Sequence, residues 1–239
     1  MDIFLSVIIP TYNESQRIAS TLMQIIEYLD SSAFTYEIIV SDDGSSDNTK
    51  DQVERFAKSN SKIKFLALPH KGKGWAIRNG LNDAQGKYRF ICDADLSMPI
   101  SYLEKFLPPR VEHSDIVIGS REIKGARRIG EPRIRHIMGR IYNLLIRLIF
   151  CMNISDTQCG FKCFRWENVE SIFTKQCING FAFDMEILFL AKKSDLIITE
   201  IGIDWYYKDL SKVRPGIDPI LMALDLIKIR WRYLTGKYK

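Results

Sequence analysis

Hydrophobic runs of five or six residues alternate with amphipathic stretches through the first half of the chain. The runs are continuous and rich in β-branched and aromatic residues, as in strands that are buried on both faces. They occupy residues 4–9, 36–41, 63–68, 88–92 and 115–119. Helical spacing of apolar residues fills the intervals at 15–29, 47–59 and 75–84. This alternation predicts an α/β fold in which helices cover both faces of a mostly parallel central sheet.

The second half of the chain is less regular. Residues 183–193 and 217–234 have helical spacing, and residues 197–205 are typical of a strand. Residues 125–135 are basic and loop-like, and residues 156–164 form a polar segment that contains glycine. No internal repeat or low-complexity linker divides the sequence, so we expect one domain over residues 1–239.

Composition and charge narrow the class of protein. The chain has 239 residues, 46% hydrophobic content and a formal net charge of +5, which suits one sizeable domain and permits a phosphate-rich ligand. No basic stretch is interleaved with aromatic residues, so we expect no nucleic-acid partner. Five cysteines, an odd number, and the lack of a signal peptide indicate reduced thiols in the cytoplasm. The three histidines lie in no hydrolase or zinc-peptidase motif.

Asp93 and Asp95 directly follow the apolar run at residues 88–92, which puts two carboxylates at the end of a predicted strand. Their charges repel each other unless a divalent cation that also binds a diphosphate lies between them. Because the carboxyl ends of parallel strands meet at one edge of a sheet, we expect the loops after the first four strands to converge there. The three earlier loops are residues 10–14, 41–47 and 70–74.

These strand-end segments resemble the family-2 glycosyltransferases, whose nucleotide-sugar-binding domain has the GT-A fold. The resemblance lies in residues 10–14, 40–49, 71–80 and 93–95. It implies that Asp93 and Asp95 hold Mg²⁺ or Mn²⁺ on the diphosphate. Carboxylates suit the uracil imide and the ribose hydroxyls, which are hydrogen-bond donors. The implied nucleotide-sugar site consists of Pro10, Tyr12, Glu14, Asp43, Lys73, Asp93 and Ala94.

Further motifs make the chain similar to the polyprenyl-phosphate glycosyltransferases, and among them to the dolichyl-phosphate β-glucosyltransferases. These motifs are residues 93–99, 119–121, 156–162, 183–186 and 211–213. The sequence departs from the pattern in two respects. Ser97 stands where dolichyl-phosphate mannosyltransferases often carry a glutamine metal ligand. The sequence also begins without the hydrophobic anchor of eukaryotic glucosyltransferases of this type.

The resemblance implies metal-dependent, inverting transfer of a hexose, with glucose from UDP-glucose as the expected donor sugar and a polyprenyl or dolichyl phosphate as acceptor. A lipid phosphate is already anionic at neutral pH, so it needs positioning cations more than a base. The implied acceptor-phosphate residues are Arg121, Arg133 and Lys212, and the acceptor or sugar pocket contains Gln158 and Gly160. The implied catalytic residues are Asp95, Asp184 and Arg121. We expect a nucleotide-sugar-binding half at residues 1–121, an acceptor-binding half at 122–216 and a basic amphipathic helix at 217–239.

Three other functions are compatible with the same motifs. The first is a soluble glycosyltransferase that acts on a glycan or lipid hydroxyl, with Asp184 as the base. The second is a dolichyl-phosphate mannosyltransferase that uses GDP-mannose, which Ser97 disfavours. The third is an inactive nucleotide-sugar-binding scaffold, which the intact carboxylates at Asp43, Asp93 and Asp95 disfavour.

Two amphipathic segments suggest how a lipid acceptor is reached. No segment offers the roughly 18 uncharged apolar residues that a membrane span needs. In residues 137–152, Arg140 and Arg147 form a narrow basic stripe beside a broad apolar arc, and residues 217–234 have the same character. Such a helix either lies in the membrane interface or packs on a core with a solvated edge. The acceptor favours the first, so we expect a protein peripheral on the cytosolic face of a membrane.

Overall fold

The computed structural model describes residues 2–208, 212, 214 and 216–238, apart from the side chain of residue 135. Within this part of the chain, seven strands form a central sheet in the order β3-β2-β1-β4-β7-β5-β8. The strands of this sheet are β1 (Leu5–Thr11), β2 (Tyr36–Asp42), β3 (Ile63–Ala67), β4 (Tyr88–Ile91), β5 (Ile116–Ser120), β7 (Lys162–Arg165) and β8 (Ile198–Gly202). Two short strands, β6 (Arg127–Ile129) and β9 (Asp204–Tyr206), pair with each other in parallel.

The sheet is mostly parallel, as predicted. β1, β2, β3 and β4 run in parallel, and β5 pairs with β8 in parallel. The exception is β7, which is antiparallel to both β4 and β5. The prediction of a polar segment over residues 156–164 was wrong at its end, because the charged Lys162 begins a buried strand.

The helices cover both faces of the sheet. They are α1 (Ile18–Asp30), α2 (Thr49–Ser59), α3 (Lys73–Asp83), α4 (Arg133–Phe150), α5 (Trp166–Lys175), α6 (Phe183–Lys193) and α7 (Ile217–Leu234), with a 3-10 helix at Ile100–Phe106. Successive residues along each strand enter opposite cores, since Ile8 and Ile39 belong to one apolar cluster and Val7 and Ile38 to the other.

Residues 125–135 were predicted to be loop-like and basic, and this prediction was wrong in part. They contain β6 and the first turn of α4. Arg127 pairs with Asp204, and Arg128 lies 2.6 Å from both Glu122 and Glu131. Arg127 and Arg128 therefore neutralise carboxylates of the same protein.

Both α4 and α7 present apolar side chains to solvent. The exposed apolar residues of α4 are Ile134, Ile137, Met138, Ile141, Leu144, Leu145 and Leu148. Those of α7 are Ile217, Ile220, Leu221, Leu224, Ile227, Trp231 and Leu234. The two helices pack against each other, and we call these exposed side chains the apolar helix surface. In the described part of the chain, no helix is both long enough and apolar enough to cross a bilayer.

After α7 the chain turns back and buries Tyr238 in one of the two cores. The Tyr238 hydroxyl donates to the carboxylate of Glu186, which is fully buried on α6. The same carboxylate accepts from the backbone N–H groups of Cys177 and Ile178 at 2.8–3.0 Å. One buried carboxylate thus connects the end of the chain to the segment that leads into α6.

Replacing Tyr238 with phenylalanine should lower the free energy of unfolding by about 1–2 kcal/mol, because a buried carboxylate loses one of its donors. Urea denaturation measures the change. Tyr206→Phe, in which the altered ring is 39% exposed, is the matched control and should change stability little. Equal stability of Tyr238→Phe and the parent protein would contradict this assignment.

Candidate active site

The loops after β1 and β2 are joined at the carboxyl edge of the sheet, as the sequence predicts. The backbone N–H of Asn13 donates to the Ser45 hydroxyl at 2.8 Å. The Asn13 side-chain carbonyl in turn accepts from the N–H of Ser46 at 2.8 Å. The N–H of Glu14 donates to the Thr49 hydroxyl, also at 2.8 Å. These bonds fix the first two loops as one surface.

Asp43 holds the loop after β3. Its carboxylate accepts from the backbone N–H groups of Lys71 and Gly72 at 2.8–3.1 Å, and His70 Nδ1 lies 2.8 Å from it. The His70 ring stacks on Tyr12, with 4.3 Å between ring centroids. Sequence reasoning missed His70, although the acidic and aromatic residues of the neighbouring loops are the groups against which an imidazole packs. Asp43 and Tyr12 are thus placed together at the rim.

Glycines bring α3 close to the segment that precedes α6. Gly72 has a φ of +119°, and a Cβ there would lie 2.5 Å from the carbonyl oxygen of Asn179. A Cβ on Gly74 would lie 2.6 Å from Cβ of Phe183. Any larger residue would force the two segments apart, so this contact sets the position of Lys73 at the start of α3.

Lys73 reaches Asp93 in the loop after β4. The Lys73 ammonium lies 2.6 Å from Asp93 Oδ1. Burial opposes the charge on Asp93, but the nearby Lys73 outweighs it, and the pKa of Asp93 is lowered. Burial likewise opposes the charge on Lys73, whereas Asp93, Asp184 and Asp95 together raise its pKa. Both groups are therefore held in their charged forms.

Asp93 and Asp95 suit a divalent cation that arrives with a diphosphate. Asp95 Oδ1 accepts from the N–H of Ser97 at 2.8 Å, and the Thr21 hydroxyl donates to the carbonyl of Ala94 at 2.6 Å, so this loop is fixed at several points. The part of the chain that the structure describes contains no cluster of three or more His, Cys, Asp or Glu residues placed to hold a metal. Mg²⁺ is commonly bound through one or two carboxylates and substrate phosphates, and an acidic pair fits that pattern.

A pocket of about 350 Å³ opens beside Asp95, between α1 and the segment after β9. Sequence reasoning missed two cations in its wall, Arg17 and Lys208. Arg17 forms an ion pair with Glu14. Burial would lower the pKa of Arg17, but Glu14, Asp95 and Asp93 raise it. The remaining lining residues are Ser20, Thr21, Gln24 and Leu96.

Arg121 is tied to a buried carboxylate. Its Nε and Nη2 donate to the two oxygens of Asp156 at 2.6 and 2.9 Å, and its backbone N–H donates to the same group. Burial opposes the charge on Asp156, but Arg121 lowers the pKa of that carboxyl to about 2. Part of the donor capacity of Arg121 is thus already used, and its predicted contact with a lipid phosphate stays a prediction.

The other cations predicted for the acceptor phosphate have different neighbours. Lys212 Nζ donates to the carbonyl of Asn13 at 2.7 Å, beside the loop after β1. Arg133, on the first turn of α4, lines a separate surface groove of about 380 Å³ with His136 and Ile137. Ser211 and Val213, which flank Lys212 in the sequence motif, lie outside the described residues. Arg133 and Lys212 therefore have different neighbours from Arg121, and their predicted contact with the acceptor phosphate stays a prediction.

The segment at residues 156–162 contacts three of the predicted site residues. Asp156 holds Arg121, as described above. Gly160 leaves room for Asp93, because a Cβ there would lie 2.0 Å from Asp93 Oδ2. Lys162 lies 2.7 Å from Asp184 Oδ1. The backbone N–H of Gln158 donates to Asp156 at 3.2 Å, so this residue helps to shape the segment.

The chain belongs to glycosyl transferase family 2. The model of that family, described as "Glycosyl transferase family 2", matches residues 6–173.

Its similar relatives include dolichyl-phosphate β-glucosyltransferases. That of Dictyostelium discoideum is 36% identical over 100% of this chain and 77% of that protein. The Saccharomyces cerevisiae enzyme is 35% identical over 100% of this chain and 77% of that enzyme. The human enzyme is 32% identical over 98% of this chain and 77% of that enzyme.

Solved structures confirm the GT-A-like fold. Glucosyl-3-phosphoglycerate synthase from Mycobacterium tuberculosis in complex with UDP gives a TM-score of 0.69 at 18% identity, over 96% of this chain and 80% of that one. A complex of the same synthase with Mn²⁺, UDP-glucose and phosphoglyceric acid gives 0.67 at 18% identity over the same shares.

Gly160→Ala should lower the free energy of unfolding by about 1–3 kcal/mol, because the added methyl group displaces the Asp93 carboxylate from its contact with Lys73. Urea denaturation again measures the change. The matched control is Gly139→Ala on α4, where a Cβ would meet nothing within 4 Å. Alanine there should leave stability equal or raise it by up to about 1 kcal/mol. Equal stability losses in both variants would show that the Asp93 contact is unimportant.

Proposed function

We propose that this protein transfers glucose from UDP-glucose to a dolichyl-type polyprenyl phosphate, in a metal-dependent reaction that inverts the anomeric carbon. The observation that carries the proposal is the placement of Asp93 and Asp95 at the carboxyl edge of the sheet, with Lys73 2.6 Å from Asp93. The family, and the likeness to dolichyl-phosphate β-glucosyltransferases over the whole of this chain, support this donor and acceptor.

The nucleoside binds, in this proposal, to the surface made by the loops after β1 and β2. Pro10, Tyr12, Glu14 and Asp43 line it, and the stacked Tyr12 and His70 rings offer an aromatic face. Asp43 already accepts two backbone N–H groups and has His70 Nδ1 2.8 Å away, yet a carboxylate has about four lone-pair directions. It therefore retains capacity for a donor on the base.

Asp93 and Asp95 would hold Mg²⁺ or Mn²⁺ on the diphosphate, and Ala94 lies between them. When bound, the cation would stabilise the negative charge on the departing UDP. Lys73 adds a positive charge at the same place without proton transfer. The backbone N–H of Ser97 donates to Asp95 and orients it. Dolichyl-phosphate mannosyltransferases often carry a glutamine metal ligand at this position, whereas Ser97 would act on the metal site through Asp95.

An anionic lipid phosphate needs no base to become a nucleophile. One of its oxygens forms a bond to C1 of glucose while the bond from C1 to the β-phosphate oxygen of UDP breaks, and no proton is removed. Asp184 is proposed to face the sugar and to stabilise the positive charge that develops at C1. Arg121, Arg133 and Lys212 are proposed to attract the acceptor phosphate, with Gln158 and Gly160 at the pocket wall.

The apolar helix surface is proposed to place the protein on the cytosolic face of a membrane. Its side chains are exposed, as in Leu144 at 56% and Ile227 at 62%, which disfavours the alternative of two core helices. Arg140, Arg147 and Lys228 are also exposed on these helices and suit anionic lipids. The acceptor half at residues 122–216 and helix α7 would then meet the lipid, and the half at 1–121 would bind the nucleotide sugar.

Incubation with radiolabelled UDP-glucose, dolichyl phosphate and Mn²⁺ should yield a labelled lipid whose formation a chelator abolishes. Asp95→Ala should lower the rate by at least about a hundredfold while the protein stays folded, as circular dichroism checks, because the diphosphate loses its cation ligand. Met23→Ala, on the exposed face of α1, is the control and should retain full rate.

Each negative result of the transfer assay has a defined meaning. Product from GDP-mannose but not from UDP-glucose would identify a mannosyltransferase. Transfer to a glycan hydroxyl, with a bell-shaped pH profile that Asp184→Asn removes, would identify the hydroxyl-acceptor enzyme. Tight binding of UDP-glucose without transfer to any acceptor would identify a binding protein.

The double variant Leu144→Glu/Leu224→Glu should bind vesicles of phosphatidylserine and phosphatidylcholine at least about tenfold more weakly than the parent protein, because each change puts a charge into the apolar contact. Cosedimentation measures the binding. Met23→Glu, at a residue 55% exposed on α1, is the matched control and should bind normally. Unchanged binding of the double variant would exclude this surface as the membrane contact.

A further inference from the structure

Lys162 is a fully buried lysine whose ammonium lies against a site carboxylate. Lys162 is 2% exposed and has one of the largest fully buried side chains among the described residues. The ammonium lies 2.7 Å from Asp184 Oδ1, and it also donates to the backbone carbonyl of Cys159. A lysine is seldom buried without a paired charge, since desolvation of the ammonium is costly.

Asp184 lies on the first turn of α6, where it is 7% exposed. Among the described residues, its Oδ1 has no hydrogen bond of good geometry, although the Lys162 ammonium lies close to it. The contact between Lys162 and Asp184 is therefore an ion pair at short distance without hydrogen-bond alignment. The other charged or titratable groups that act on Asp184 are Lys73 and Asp93, and its charge also acts on Tyr142 of α4.

Two lysine–carboxylate pairs thus lie near each other, since Lys73 and Asp93 act electrostatically on Asp184. Lys73 is bound to Asp93, and Lys162 is bound to Asp184. Burial raises the pKa of Asp184, while the positive charges of Lys162 and Lys73 oppose that rise. Among the described residues, Lys162 is the cation within ion-pair distance of Asp184, so its loss would leave a buried carboxyl group without that partner.

We propose that Lys162 is a positioning residue for glucosyl transfer, whose ammonium holds the Asp184 carboxyl group where the donor sugar is expected. The inference rests on the proposed function for the identity of the sugar. It also gives a role to the segment at residues 156–162. In this segment Asp156 pairs with Arg121, Gly160 leaves room for Asp93, and Lys162 pairs with Asp184.

A double-mutant cycle tests the proposal. Lys162→Met should lower kcat about a hundredfold while KM for UDP-glucose changes less than about threefold, because the misplaced group acts after the donor is bound. Asp184→Asn should lower kcat to a similar extent. In the Asp184→Asn background, Lys162→Met should lower kcat by no more than about threefold further, since Lys162 acts through a carboxylate that is no longer there.

The matched control is Arg89→Met. Arg89 is another buried cation, 7% exposed, which lies over the Trp166 ring at 3.7 Å and donates to backbone carbonyls. Its loss should lower the thermal midpoint with kcat of the folded protein unchanged. If Lys162→Met behaves in the same way, or if the two effects in the cycle multiply, the proposal is overturned.

Two further measurements keep the test decisive. Lys162→Met should lower the thermal midpoint, because a buried carboxylate loses its counter-charge, and the double variant should recover part of that loss. If the parent protein forms no lipid product, the proposed function fails. The same cycle, run on the slow transfer of glucose from UDP-glucose to water, still decides the role of Lys162.

Discussion

The site depends on the compensation of buried carboxylates by basic side chains at the carboxyl edge of the sheet. Asp93 is paired with Lys73, Asp184 with Lys162 and Asp156 with Arg121. A buried charge without a partner is strongly destabilising, whereas a paired one is tolerated. The pairs therefore allow the fold to collect acidic groups next to one another at this edge.

The insertion of one antiparallel strand makes this compensation possible. β7 lies between β4, which leads into Asp93, and β5, which leads into Arg121. Because β7 runs in the opposite direction, the residues that precede it lie at the edge where the other two strands end. Gly160 and Asp156 are thereby brought against both of them. A sheet with β4 directly beside β5 would have no chain at this point to contact both groups.

Much of the fold could be predicted from the sequence, and the reasons for the failures are specific. α6 begins and ends at the predicted residues, and α7 covers residues 217–234, because their apolar spacing is regular. The basic helix expected over residues 217–239 ends earlier, at Leu234. β7 was missed because a lysine begins it and glycine precedes it, and the local pattern does not reveal that a distant aspartate neutralises Lys162. Asp43, Asp93 and Asp95 were predicted at this edge because they follow strands, whereas Lys162 was given no role because its partner Asp184 is set by a tertiary contact. Arg17 was missed although its partner Glu14 is only three residues away.

The same reasoning explains why the acceptor side is harder to predict than the donor side. The donor groups follow consecutive parallel strands, so chain order alone brings them together. Arg121, Arg133 and Lys212 come from a strand end, a helix start and a segment after β9, and each has a different neighbour. If the acceptor is held in a lipid surface, as proposed, the apolar helix surface would restrict where its phosphate can lie, and cations from separate elements would suffice to attract it. A soluble acceptor would instead require a closed pocket to reach the same local concentration.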